Sequence, residues 1–500
     1  MNWPTYFSLS ISLLLTSGLA AAQQERANTS ASMDAMKLQV EHLSTAVAHE
    51  ELALEASQRE IQELHTQIVE LQTKLAAANL VPTKTPDEEA QTGLARLQTE
   101  VDKLREQEDL HQSEIAVHDQ TKIESASKFP VKLTGLILMN AFVNTSGVDV
   151  IQSPTLATGG GGTTGLSLRQ TVLGVDARGP HMFGGASAAD VRVDFFGGLS
   201  QTGYTNTGGL ARLRTAHAEV AWNETRAFVE LDRPIVNPNA PTSLTAIAQP
   251  ALAWSGNLWN WTPQIGAEHS FPLTGSSRLN IQGALADISD PVTPGLQVMI
   301  QPAASLAEQS RWPGSEARVG YARGDRGTGL GLGVGGYFSP HAAGNEFRFD
   351  AWAATIDYRI PISSRFGASG SLYRGSALGG LGGGAFKDYV YKGLGESYLF
   401  RALDDVGGWT QLKARAGERI EFNAAYGIDE VFAGELRPYL PLQSGPYMNL
   451  VRNSTMSTNI IFSPTAYTLF SFEYRRIDSS PAVGQHSVAD VVGLAAGYRF

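Results

Sequence analysis

Side chains able to do chemistry are few in kind in this chain of 500 residues. Cysteine is absent, which removes disulfides, Cys-ligated zinc, iron–sulfur clusters and thiol nucleophiles at once. The ten histidines include no pair at metal-binding spacing on a helix. Gly331-x-Gly333-x-x-Gly336 spells a dinucleotide fingerprint, but Leu330, Leu332 and Val334 alternate with glycine as a strand does, and no helix follows. His217 and Glu219 share a face, too short a match to define a hydrolase. No enzyme, cofactor or metal is expected.

Basic side chains at alternate positions remain. Arg192, Arg318, Arg359, Lys413, Arg415 and Arg475 lie on the polar faces of alternating segments, and Arg233 opens a long link. Rings of arginine around a water-filled space favour anions. Asp194, Glu316, Asp357, Glu421 and Glu473 stand on similar faces, and ion pairing is the plainer role for both sets. Arg212 and Arg214 break the rule: they share a face with Val220 and Trp222, which asks for a bulge or a position above any lipid.

The elements that position these residues are strands. Val492, Leu494, Ala496, Tyr498 and Phe500 alternate with Gly493, Ala495, Gly497 and Arg499. Phe470, Phe472 and Tyr474 alternate with Ser471, Glu473 and Arg475; Ile420, Phe422, Ala424 and Tyr426 alternate with Glu421 and Asn423. This period of 2 gives each strand one apolar and one polar face. Short links near 179–185, 223–224, 273–277, 324–327, 361–364, 417–418 and 463–464 alternate with long ones at 144–164, 197–208, 233–260, 287–315, 339–345, 376–408, 429–447 and 477–487. Together they join about 16 antiparallel strands over residues 129–500. Such an alternation predicts an all-β transmembrane barrel, which must close because an open edge in lipid leaves backbone groups unpaired. A barrel of that size is wide enough for water.

Residues 1–128 are a different polypeptide, with 10 Lys and Arg against 20 Asp and Glu. Residues 1–22 read as a signal peptide: an apolar stretch from Phe7 to Leu19, then Ala20-Ala21-Ala22, although no Lys or Arg precedes the stretch. Residues 33–124 read as a periplasmic α-helical coiled coil. Met33, Met36, Val40, Leu43, Val47, Leu54, Ile61, Leu64, Ile68, Leu71 and Leu75 follow a 3–4 spacing, with Glu50 and Ser57 as exceptions. Pro82 and Pro86 place a break near 82–92. So narrow a seam asks for partner helices from other chains, hence a homo-oligomer. No basic stripe is present for nucleic acid.

A strand ending on Phe500 with Tyr498 two residues before it resembles the terminal signature of outer-membrane β-barrel proteins, which the barrel assembly machinery reads. The whole arrangement is similar to the trimeric porins of the DcaP-like and phosphate-selective groups. Residues 172–180 (VLGVDARGP), 189–197 (ADVRVDFFG) and 213–222 (LRTAHAEVAW) resemble early barrel hairpins of the DcaP-like group. The resemblance implies a trimer in outer-membrane lipid, with the coil in the periplasm and passive diffusion of small hydrophilic solutes, anions among them. It also implies that the third long loop, 233–260, folds inward. A lysine ladder for phosphate is not evident, since residues 129–500 hold only Lys132, Lys387, Lys392 and Lys413. The alternative role is structural: an anchor that tethers the envelope through its coil.

Overall fold

The chain divides into two units, Met1–Lys128 and Phe129–Phe500. The computed structural model describes residues 130–198, 209–289, 304–324, 328–343, 347–392, 399–440, 447 and 449–500. The expected signal peptide (1–22) and coiled coil (33–124) lie outside the described residues.

Sixteen strands follow one another round a closed antiparallel sheet. They are β1 (Val131–Val148), β2 (Ala157–Ser167 and Val172–Met182), β3 (Gly185–Asp194), β4 (Arg212–Ala221) and β5 (Thr225–Asp232). Next come β6 (Thr262–Pro272), β7 (Ser277–Ala286), β8 (Gly314–Arg323), β9 (Leu330–Ala343) and β10 (Phe347–Pro361). The circuit ends with β11 (Phe366–Ser376), β12 (Asp404–Arg415), β13 (Ile420–Val431), β14 (Leu450–Phe462), β15 (Thr468–Pro481) and β16 (Ser487–Arg499). The two segments of β2 are one strand. Both pair with β1, Asn140 opposite Ser167 and Leu136 opposite Val172, so β2 carries one extra residue at a bulge.

Closure joins β1 to β16, from Leu136 opposite Arg499 to Asn144 opposite Val491. Phe500 extends the seam: its N–H donates to the Gly135 carbonyl at 3.1 Å, and its own carbonyl accepts from Gly135 N–H at 3.0 Å. Glycine at 135 leaves room for this ring: a Cβ there would stand 2.6 Å from the tip of Phe500 and 3.1 Å from the Val172 carbonyl. Every strand thus has two neighbours and no edge is left for lipid to meet.

The alternation sorts the side chains as the sequence predicts. Phe470, Phe472, Leu412, Phe422 and Leu494 point outward and are exposed, whereas Asn453, Glu473 and Asn459 point inward and are buried. Apolar outside and polar inside is the inverse of a soluble sandwich, and it suits a wall between hydrocarbon and water.

The links depart from expectation at three places. Those expected at 144–164, 339–345 and 477–487 shrink to 149–156, 344–346 and 482–486. Alternation persists there, with Phe338 outward and Ser339 and His341 inward, and pairing runs on to Ala343 opposite Phe347. The strands therefore continue beyond the apolar band rather than ending at its rim.

Candidate functional site in the lumen

Of the two arrangements that Arg212 and Arg214 allow, the structure has the bulge, at Arg214. Arg192 pairs with Thr215 and Val193 with Leu213, leaving Arg214 as the extra residue. Below the bulge His217 and Glu219 face inward; above it Arg212 faces inward too. Arg212 Nε and Nη2 donate to the two oxygens of buried Asp194 at 3.0 and 2.7 Å. Both guanidiniums lie over the Trp261 ring, at 5.0 Å for Arg212 and 4.9 Å for Arg214. The extra residue keeps both charges off the outer face, where each would cost about 2–4 kcal/mol at mid-depth.

The long link 233–261 folds inside. Its anchors succeed one another round the inner wall. Val236 N–H donates to Glu316 on β8 at 3.2 Å, and its carbonyl accepts from Thr355 on β10 at 2.9 Å. Thr242 N–H donates to Gln411 on β12 at 2.6 Å, and its carbonyl accepts from Asn459 on β14 at 2.8 Å. The Ser243 and Thr245 hydroxyls donate to Glu473 on β15, each at 2.6 Å. Asn140 on β1 donates to the Leu244 carbonyl, and Gln170, inside the β2 bulge, accepts from Ile247 and Ala248 N–H. A backbone carried across a lumen must satisfy its own polar groups, and these side chains do so. Glu316 and Glu473 therefore hold the loop; Glu316 takes no arginine partner.

Two chambers lie between this loop and the short-turn end, with Pro238 in the walls of both. One, of about 440 Å³, is lined by Arg359, Arg365, Lys413 and Arg415 together with Asn239, Thr242 and Gln411. Glu421 takes Lys413 at 2.8 Å and Arg415 at 3.4 Å. Arg359 donates to the Gly329 carbonyl at 3.2 Å, and Arg365 lies in the short turn beside it. The other, of about 500 Å³, has Asp176, Asp190, Glu219, Glu230 and Asp232 interleaved with Arg178, His217, Arg226 and Arg233. Here charges are matched. Arg192 meets Asp176 at 2.5 Å and Asp190 at 3.4 Å, and His217 sits with one ring nitrogen 3.0 Å from Asp190 and the other 3.1 Å from Asp232.

The seven sequence-derived cations thus separate into three groups. Arg359, Lys413 and Arg415 share the first chamber, and Arg233 lines the second, 4.0 Å from Asp232. Arg192 and Arg318 face inward but are neutralised; Arg318 makes two 2.7 Å bonds to Asp357. Arg475 is 4% exposed, bonded to Glu473 at 3.1 Å and to the Pro154 carbonyl at 3.1 Å, so it takes no part in the lining. The link after β1 folds over it, which strand alternation has no means of signalling. Arg365 is absent from the sequence-derived set because a turn has no face to assign. Tyr498 and Phe500 both point outward at the short-turn rim, 6.4 Å apart.

The long-loop half is packed rather than chambered. Ile235, Val236 and Leu258 join Ile288, Tyr337, Tyr373, Leu378 and Leu381 in one buried cluster. Beside it Lys387 is fully enclosed. Its Nζ donates to the carbonyls of Ala385, Tyr447 and Leu450 at 2.8, 3.2 and 2.6 Å, and burial pushes its ammonium down to about 7.

A closed barrel with an apolar exterior, a polar interior and an inward constriction loop belongs to the class of membrane-spanning β-barrels. Among solved structures, the chain is similar to the outer membrane channel DcaP of Acinetobacter baumannii, with a TM-score of 0.55, 16% identity, and 75% of this chain and 99% of that one covered. A second is an anion-selective porin from Comamonas acidovorans, with a TM-score of 0.46, 12% identity and coverage of 75% and 100%. A third is Pseudomonas putida OprB, with a TM-score of 0.46, 10% identity and coverage of 76% and 96%. At such identities the likeness is one of fold. No protein-family model matches the chain, and no curated protein does.

Proposed function

We propose that the protein is an outer-membrane porin, a water-filled channel through which small hydrophilic solutes diffuse, with a weak preference for anions. One observation carries this reading: an inside-out barrel narrowed by an inward loop, below which Arg359, Arg365, Lys413 and Arg415 gather, with Glu421 paired to Lys413 and Arg415 and with Glu418 and Asp357 beside the cluster. Cations lining a pore lower the local energy of anions. The short-turn mouth extends the same bias, since Lys132, Arg178, Arg278 and Arg499 are at inward positions there. Purified protein in a planar bilayer tests the claim. We expect stepwise conductance and a reversal potential of anionic sign in a salt gradient. Cationic sign removes the anion preference; absence of any conductance favours the envelope-anchor role.

The same reading includes assembly as a homo-oligomer, a trimer by the family resemblance, inserted by the barrel assembly machinery through Tyr498 and Phe500. The outer face supports a protein partner on one sector. Within strands β1 to β5 its outward side chains are aliphatic or small, such as Ile137, Leu173, Val191, Leu213, Ala218 and Val229, and the exposed aromatics Phe183 and Trp222 stand only at the short-turn rim. The other side carries Phe338, Trp352, Phe366, Phe422, Tyr426 and Phe470. Aromatic girdles mark lipid interfaces. β5 has 8 residues and β3 and β4 have 10 each, against 15 for β10. A sector with few girdle residues, whose strands β3 to β5 are short, suits contact with another copy.

A further inference from the structure

Residues 377–388 follow β11 and turn back into the lumen instead of rising from it. The segment is buried along its length: Ala377, Leu378, Leu381 and Ala385 are each at most 2% exposed. Three polar points hold it. Gly384 and Ala385 N–H donate to Asp405 and Asp429 of the inner wall at 2.7 and 2.6 Å. Tyr373 OH secures the second carboxylate at 2.6 Å. Asn260 of the constriction loop bonds the Leu381 and Gly380 carbonyls at 3.3 and 2.9 Å. Lys387 then ties the far end to Tyr447 and Leu450. The Phe386 ring lies between Trp254 and Tyr447, at 4.2 and 4.5 Å.

This seat is bought with strain. Ala377, Ala385 and Phe386 hold φ of 55, 43 and 71°, where an L-residue is disfavoured because its Cβ crowds the backbone. Gly382, at φ 98°, lies against Trp259 so closely that a Cβ would stand 2.8 Å from the indole. An ammonium is enclosed among three carbonyls, and among the described residues no carboxylate bonds it, an expensive arrangement in a buried pocket. The flanking sequence, five glycines within 379–384, bends freely once released. Strain, enclosed charge and a flexible run within one segment are the makings of a two-state element rather than of a fixed core.

We propose that residues 377–388 are a gating strap: seated, they back the constriction loop and narrow the long-loop half of the lumen, and release of Lys387 from Tyr447 and Leu450 lets the strap swing out and widens the path. The gate presumes the channel reading above; the chemical readout below does not.

The absence of cysteine makes the test direct. A single cysteine in the full chain, Ala385→Cys, is to be labelled with a water-soluble thiol reagent in detergent, with Ala466→Cys on an exposed short turn as reference. Seated, the residue 385 thiol should react at least about tenfold more slowly than the reference. Adding Lys387→Met should raise its rate at least about fivefold and enlarge single-channel conductance, while Lys387→Arg should preserve protection. Equal labelling of positions 385 and 466 in the parent overturns the seat. Unchanged protection after Lys387→Met overturns the latch, and faster labelling without a conductance change overturns the gate. Should no variant conduct, the channel reading fails while the labelling arms still judge whether the strap moves.

Discussion

Among single residues, position decides which cation matters. Arg359 and Arg415 face the first chamber, and a unit charge about 8 Å from a passing ion in water is worth about 0.5 kcal/mol. Arg359→Gln or Arg415→Gln should therefore each lower the anion-to-cation permeability ratio about twofold, read as a shift of reversal potential. Salt near 1 M should erase most of that difference. Lys387 behaves in another way. Its ammonium is pushed down to about 7 when the strap is seated, against an ordinary value of 10.5. Between those limits the released strap binds a proton that the seated one lacks, so seating strengthens as pH rises from about 7 to 10.5. Asp405 on β12, Asp429 on β13, Tyr373 on β11, Tyr447 and the adjacent Asp388 complete its titratable surroundings. Labelling at position 385, divided by that at position 466 to remove the thiol's own ionisation, should slow over that range, and Lys387→Met should flatten the slope.

At the level of elements, the constriction loop stands on wall carboxylates. Glu473→Ala deprives the Ser243 and Thr245 hydroxyls of their acceptors and leaves Arg475 buried without its partner. Losing one member of a buried pair costs about 3–5 kcal/mol. Conductance should rise and become noisier in single-channel records while anion preference changes little. Strand alternation made the wall legible from sequence: Phe470 out and Glu473 in follow from a period of 2, and the conflict at Arg214 narrowed the choice to a bulge or a place above the lipid. The loop's route was not legible in detail. Hydrogen bonds such as Gln170 to Ile247 N–H join residues 77 apart, and irregular backbone has no period from which to read a face. For the same reason Arg475, sound on its own strand, hid beneath a loop that no strand pattern describes.

For the molecule as a whole, the outer surface has two kinds of sector. An arginine at Ala218, on the aliphatic side, should abolish the oligomer in native mass spectrometry while leaving a folded, conducting barrel. The same change at Ile356, among the aromatics, should instead impair insertion, by about 2–4 kcal/mol at mid-depth. Removal of residues 23–128 should spare conductance and lower oligomer stability; an unchanged oligomer would leave the acidic segment without that task. The two ends of the lumen are unlike as well, with a cation-rich chamber beside a charge-matched one at one end and apolar packing at the other. A conduit so built is a diode in outline: ions piling up at its charged end carry more current under one polarity than under the reverse, so the sign of the favoured voltage reports which way round the protein has entered a bilayer.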